Sequence, residues 1–333
     1  MDNAFIQQFV THNYPLQPVK TKLLRTGGGR VLIRIEDSTG APWVLRLHRQ
    51  NESAPSWAGG GKAAAWLDRR AALLEWLAQR QYPAPALLRT RAQGRVSRYQ
   101  NWCGILTRFV PGSRLDNSRE SFTALAETIG TLHVASLQLN PARPQPAVHS
   151  WWHPLAHTAG YALRQLPGRA DLPEAWQALH TTSEGVLRAV QRPLELPVVC
   201  IHGDCWTGNA IRSPGGQIIL IDWDTAGLGA AILDFGSVLG DCYTLAAGEV
   251  VPDEERITTV VGAYRRCRPL AGAEVTFLPQ AIQFGAAFRT ALRFSHAVQN
   301  GWEDGVSRGL AREQERLKVS RRIARVTLAQ LDR

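Results

Sequence analysis

The pattern of apolar and polar positions changes character along this chain. Before residue 110 it reads mainly as short strands joined by turn chemistry, and after residue 112 it becomes predominantly helical. A short helix is expected over about 4–14. Residues 23–35 read as a strand, a turn at Gly27-Gly28-Gly29 and a second strand led by Val31 and Ile33; a third strand follows at 43–47 after the turn residues of 36–40. Residues 63–80 form a helix carrying Leu67, Leu74 and Leu77, which Pro83-Ala84-Pro85 ends. A further strand pair, its clearer member at 105–110, breaks at Pro111-Gly112, and that break marks a boundary between two domains. Beyond it a helix spans 122–137, with Leu125, Ile129, Leu132 and Ser136 on one face. A proline-bearing connector covers 141–147, and a helical pair covers roughly 155–192. Short apolar runs at 198–201 and 218–221 follow, then helices from about 231, closing with an amphipathic one over 309–331.

Composition narrows the class. A length of 333 residues suits two domains, and 44% hydrophobic with 20% charged residues is ordinary for a soluble globular protein. No apolar run reaches the roughly 18 residues of a spanning helix, and the N-terminal residues lack a secretory pattern. Five scattered cysteines, an odd number, read as reduced thiols in a cytoplasmic protein. The formal net charge of +10 favours anionic ligands, of which ATP is one and nucleic acid another. The basic residues are spread along the chain and no nucleic-acid module is recognisable, so no nucleic-acid partner is expected and none in a membrane.

The chemistry concentrates in His202-Gly203-Asp204-Cys205-Trp206-Thr207-Gly208-Asn209, followed after an apolar strand by Ile221-Asp222-Trp223-Asp224. An acid and an amide five positions apart, then a second acid, are the parts that phosphoryl transfer needs: one group facing the attacking hydroxyl, two holding Mg²⁺ against nucleotide phosphates. The spacing is that of the kinase catalytic loop, H-R-D-x-x-x-x-N, with Gly203 in the place of Arg. Asn209 alone reads as a turn residue and Asp204 alone as a helix cap, but neither reading accounts for the pair with Asp222 placed behind a strand. Two other segments carry less. Gly59-Gly60-Gly61-Lys62 lacks the first glycine and the Ser/Thr of a phosphate loop, and Cys200-x-His202-x-x-Cys205 has no second cluster to complete a zinc site.

A small sheet with one main helix, a hinge, then a helical lobe carrying this loop resembles the aminoglycoside phosphotransferase/choline kinase family. The most specific segment is VVCIHGDCWTGNAI…QIILIDWDTAGLGAAILDFG over residues 198–236. The resemblance implies an α+β, protein-kinase-like bilobal fold, with residues 1–110 as nucleotide-binding lobe and 111–333 as helical catalytic and substrate-binding lobe. It implies that Asp204 is the catalytic base, that Asn209 and Asp222 are the Mg²⁺ ligands, and that His202 braces the loop. Asp234 corresponds to a structural acid tying the loop backbone together, while Asp224 is either a supporting acid or a surface residue. At the nucleotide end, Gly27, Gly28 and Gly29 resemble a loose glycine-rich turn, with a plain hairpin as the alternative. Arg46 stands where a phosphate-binding Lys is usual. Its expected helix partner, a Glu, falls near Arg70; Asp68 is the acid chosen to pair with Arg46, and the adenine pocket is placed at Thr107 to Val110, with Thr107 and Phe109 in it. The implied co-substrate is ATP, with GTP as the alternative.

The expected activity is O-phosphorylation of a small hydroxyl-bearing molecule such as an antibiotic, sugar or amino alcohol, by a monomer or homodimer. Two alternatives are a bacterial Ser/Thr protein kinase of the same fold, for which no D-F-G to A-P-E segment is present, and a non-catalytic nucleotide-binding protein, motivated by Arg46. The positive net charge disfavours polycationic acceptors, although Asp241, Glu303 and Asp304 are local acids that could line a pocket. Among eleven tryptophans, Trp151 and Trp302 are candidates for an aromatic face against the acceptor.

Overall fold

The structure is a computed structural model, and it describes residues 2–27, 30–51, 62–137, 155–190 and 195–331. Gly28, Gly29, the glycine-rich stretch ending at Gly61, the 141–147 connector and Trp151 lie outside the described residues. Contacts divide the chain into two units. One comprises the described residues of Met1–Ser113 together with Ile211–Asp224, and the other those between Arg114 and Ala210 together with Thr225–Arg333.

The first unit begins with helix α1 (Asn3–Asn13), whose N-terminus is capped by Asp2 accepting from the Phe5 N–H at 2.8 Å. Strands β1 (Pro18–Gly27), β2 (Arg30–Asp37) and β3 (Pro42–Arg49) run antiparallel. Helix α2 (Ala63–Gln79) follows, then β4 (Leu87–Leu88), β5 (Ser97–Tyr99) and β6 (Trp102–Arg108). The sheet order is β1-β2-β3-β6-β4, with β5 also pairing with β6. Side chains alternate across it. Ile33, Ile35, Leu45, Leu47 and Leu106 pack with Phe9, Val10 and Tyr14 of α1, whereas Cys103 and Ile105 join Trp66, Leu67 and Ala71 of α2. Each helix therefore covers one set of strand positions, which fixes the register that carries Arg46 on β3.

β7 (Ser113–Arg114) and β9 (Ala210–Arg212) fall where the chain passes from one unit to the other, and β10 (Ile218–Leu220) belongs to the first unit. The second unit contains α3 (Arg119–Ser136), α4 (Leu155–Gln165), α5 (Glu174–Val190), β8 (Val198–Ile201), β11 (Gly227–Ala230) and α6 (Ala231–Leu239). A hairpin of β12 (Tyr243–Ala246) and β13 (Glu249–Pro252) comes next, then α7 (Glu254–Cys267), α8 (Gly272–Asn300) and α9 (Asp304–Leu331). α8 packs against α4, α5, α6 and α9, and α3 packs against α7, so the apolar faces of these helices bury one another.

Most elements lie where the hydrophobic pattern puts them, but strands also form where none was expected, among them the short β7 and β9. The stretch after 231 was expected to be helical throughout, yet it contains the β12–β13 hairpin. Its turn residues Ala247 and Gly248 have φ of 51° and 80°, a two-residue turn with both centres left-handed. An alanine there hides the turn from a reading that looks for Asn-Gly or Asp-Gly. β11, pairing antiparallel with β8 from Gly227↔Ile201 to Ala230↔Val198, was also not expected. No helix among the described residues is long and apolar enough to cross a membrane.

Candidate active site

The loop bearing Asp204 hangs from β8, whose partner β11 leads directly into α6. Asp234 on α6 is buried, 1% exposed, and its carboxylate accepts the His202 N–H at 2.7 Å and the Gly203 N–H at 2.8 Å. Burial alone would raise its pKa. Bonding to His133, the His133 and His202 rings and the loop amides outweigh that and hold Asp234 below the usual carboxylate range. His133 Nδ1 in turn lies 2.8 Å from the Tyr264 hydroxyl, which Arg268 also contacts at 3.1 Å, and Arg268 pairs with buried Glu274. The loop is thus the end of a buried polar chain running back through α7 to α8. Partners at each link let these groups stay buried.

Gly203 has φ of 79°, a left-handed conformation that a side chain at this position would strain. The turn brings Asp204 and Asn209 together: the Asn209 Nδ2 donates to the Asp204 carboxylate at 2.8 Å and to its backbone carbonyl at 3.0 Å. The amide nitrogen of Asn209 is therefore committed to Asp204, which leaves its oxygen as the side available to a cation. His202 is fully buried, and its carbonyl accepts from the Thr225 hydroxyl at 3.0 Å. Trp206 lies against Arg312, whose guanidinium carbon is 4.6 Å from the ring centroid.

Beside Asp204 is a cluster not anticipated from sequence. Arg289 on α8 binds Glu313 on α9 through two bonds of 2.9 and 3.2 Å, and its Nη1 lies 3.8 Å from the Asp204 carboxylate. Arg316 joins Glu313 to Asp241, and Arg312 also reaches Asp241 at 3.3 Å. Asp241 is therefore held by two arginines and offers no unpaired acid for a cationic acceptor. Residues 312, 313 and 316 share a face of α9, which is the signal the sequence offered.

The first unit holds a second constellation. Asp222 has φ of 59°, a left-handed conformation uncommon outside glycine and one that clusters at functional sites. Arg46 binds Asp222 at 3.3 Å and also Asp224, which Arg30 contacts at 3.0 Å. Asp224 is buried, 7% exposed. Burial pushes its carboxyl up, but Arg46, Arg70 and Arg30 prevail and bring it down to about 2. Asp224 is thus a buried supporting acid and not a surface residue.

The pairing of Asp68 with Arg46 does not form. Asp68 is about half exposed and its ion pair, at 3.7 Å, is with Arg95. The helix position where a Glu was expected is Arg70, which is buried and donates to the Asp224 carbonyl. Charge is inverted at that position, and the acid opposing Arg46 comes from the segment after β10 instead. At the other nucleotide-side residues, Gly27 pairs with Arg30 across the hairpin. Thr107 lies within β6 opposite Val44. The Arg108 and Phe109 N–H groups are taken by the Ala86 and Pro42 carbonyls, and the Phe109 ring lies under Arg34 at 4.4 Å. Those two amides are therefore spent within the sheet and cannot read a base edge. Trp302, 37% exposed, contacts Phe294 edge-on.

Comparison with known proteins gives the family and the fold. The sequence model of the Phosphotransferase enzyme family matches residues 25–270, and the chain belongs to that family. Its members are small-molecule phosphotransferases, and this chain is an enzyme of that class. A homoserine kinase of Methylobacterium nodulans is 28% identical over 263 residues, 76% of this chain and 74% of its own length. Among solved structures, the amicoumacin kinase hAmiN in complex with AMP-PNP, Ca²⁺ and Ami superposes with a TM-score of 0.71 at 14% identity, covering 96% of this chain and 93% of that one. A microcompartment-associated aminopropanol kinase gives 0.66 at 20% identity over 98% and 99% of the two chains. The fold is therefore kinase-like, with a small antiparallel sheet and a mostly helical second part.

Proposed function

We propose that the protein transfers the γ-phosphate of ATP to a hydroxyl group of a small molecule, with Asp204 as the catalytic base. The acceptor oxygen forms a bond to the γ-phosphorus while the bond from that phosphorus to the β–γ bridging oxygen breaks. The electron pair leaves with ADP, and the alcohol proton passes to Asp204. The observation that carries this reading is the Asp204–Asn209 contact at 2.8 Å, on a loop whose backbone is held by buried Asp234.

The donor set fits Mg²⁺. The Asn209 amide oxygen and the Asp222 carboxylate are hard oxygen donors, and this ion commonly takes only one or two protein ligands beside phosphate oxygens and water. When bound, the ion would offset charge on the β- and γ-phosphate oxygens. Arg46, oriented by Asp224 and Asp222, is the cation assigned to the nucleotide phosphates. The adenine nucleotide bound by hAmiN supports ATP, and the homoserine and aminopropanol kinases support a small acceptor.

The test is a phosphotransfer screen across amino alcohols, hydroxy amino acids, sugars and antibiotics, with ATP and GTP compared and EDTA as control. Transfer that EDTA abolishes and that Asp204→Asn loses supports the proposal. Undiminished transfer by a well-folded Asp204→Ala protein contradicts it.

A further inference from the structure

The charges beside Asp204 do not balance. Four guanidinium groups, Arg289 and Arg293 on α8 and Arg312 and Arg316 on α9, share three carboxylates: Asp204, Asp241 and Glu313. Glu313 is divided between Arg289 and Arg316, and Asp241 between Arg312 and Arg316. Arg293 is left over. Among the described residues it makes no ion pair, and its buried Nε has no hydrogen-bond partner. It lies one helical turn from Arg289, on the same face of α8, within the field of both Glu313 and Asp204.

α9 is shaped to receive it. A Cβ on Gly309 would stand 2.3 Å from Arg293 Nη1, so the absence of a side chain there lets the guanidinium lie against the α9 backbone. Burial lowers the pKa of Arg293 because the charged form has given up water; Glu313 and Asp204 oppose that, while Arg289 and Arg316 add to it. Arg293 is part buried and has no carboxylate within ion-pair distance among the described residues, so an anion reaching it would meet a guanidinium not already paired.

We propose that Arg293, assisted by Arg289, binds a carboxylate carried by the alcohol acceptor, so that the substrate is a hydroxy acid or hydroxy amino acid. This rests on the phosphotransfer reading, because the acceptor hydroxyl is taken to face Asp204. The carboxylate supplies the missing counter-charge, and the planar guanidinium can bind it through two parallel hydrogen bonds. The same excess of arginine disfavours the polycationic acceptors that an acidic pocket would draw in.

The test compares matched acceptors using the full chain, ATP and Mg²⁺. Serine, homoserine and 4-hydroxybutyrate are each set against their own carboxamide, with 3-amino-1-propanol and glycerol 3-phosphate beside them. For at least one pair the carboxylate should be preferred by about 30-fold in kcat/KM, the worth of a charge-assisted hydrogen bond. Arg293→Gln should erase that preference through KM while leaving the carboxamide within about threefold, and Arg293→Lys should retain part of it. Gly309→Ala, which displaces the guanidinium without removing its charge, should act in the same direction. Thermal unfolding of each variant separates these effects from misfolding. No carboxylate preference in the wild type, preference for glycerol 3-phosphate, or an equal loss on every acceptor in both variants overturns the inference. If the wild type transfers phosphate to carboxamides and amino alcohols without discrimination, only the inference fails. Should it transfer to none and hydrolyse ATP no faster than Asp204→Asn, the phosphotransfer reading fails and takes the inference with it.

Discussion

The loop around Asp204 and the cluster around Arg46 solve similar problems in opposite ways. At the loop, one buried acid, Asp234, accepts backbone amides and lets Asp204 and Asn209 meet. At the cluster, one buried acid, Asp224, gathers arginine side chains from three different elements. The first arrangement fixes backbone geometry, and the second concentrates charge. Substitutions in the loop should therefore be read mainly in turnover, and those in the cluster mainly in nucleotide affinity and stability.

The largest separation is expected from Asp204→Asn, which should lower kcat by about 10³-fold with an unchanged thermal unfolding midpoint. Next come the two buried acids. Asp234→Ala and Asp224→Ala should each cost about 3 kcal/mol of stability in denaturant titrations, since each strands buried partners. For Asp224 the effect is pH-dependent. Its carboxyl lies at about 2 in the folded protein, against about 4 for an unfolded aspartate. The stabilisation is therefore fully present above pH 4 and lost as pH falls towards 2, so the gap between wild type and variant should close over that range.

A smaller effect is expected from Gly203→Ala. Imposing a side chain at a φ of 79° should cost about 1 kcal/mol, and it should reduce kcat as well, because the strain falls beside Asp204. Smallest of all is Asp68→Ala. Its exposed pair with Arg95 should leave stability within about 0.5 kcal/mol and nucleotide KM unchanged. A tenfold rise in nucleotide KM in that variant would restore Asp68 to the cluster.

The same contrast explains what could be read from the chain. The loop was legible because its parts are close in sequence: Asp204 and Asn209 are five residues apart, and Asp234 follows within one short segment. Its geometry depends on backbone turns that residue type announces. The cluster was not legible, because Arg30, Arg46, Arg70 and Asp224 are brought together only by folding. The helix position expected to carry a Glu falls at Arg70, and an arginine there suggested a missing acid and pushed the choice to Asp68. The balancing carboxylate arrives from a distant segment. Likewise, the α8–α9 charge cluster pairs Arg289 with Glu313, a helix–helix contact that periodicity within either helix does not reveal. The sheet and most helices were readable because burial enforces their period; the β12–β13 hairpin, partly exposed and turning through Ala247, had no such signal.

The central claim is that turnover resides in the Asp204 loop and nucleotide affinity in the Arg46 cluster. Initial rates varied in ATP for Asp204→Asn and Arg46→Gln, measured side by side on one acceptor, test it directly. The account predicts a kcat lowered by about 10³-fold with ATP KM within threefold for the first, and an ATP KM raised at least tenfold for the second. An Asp204→Asn enzyme that keeps its kcat, or an Arg46→Gln enzyme that keeps its ATP KM, would contradict it.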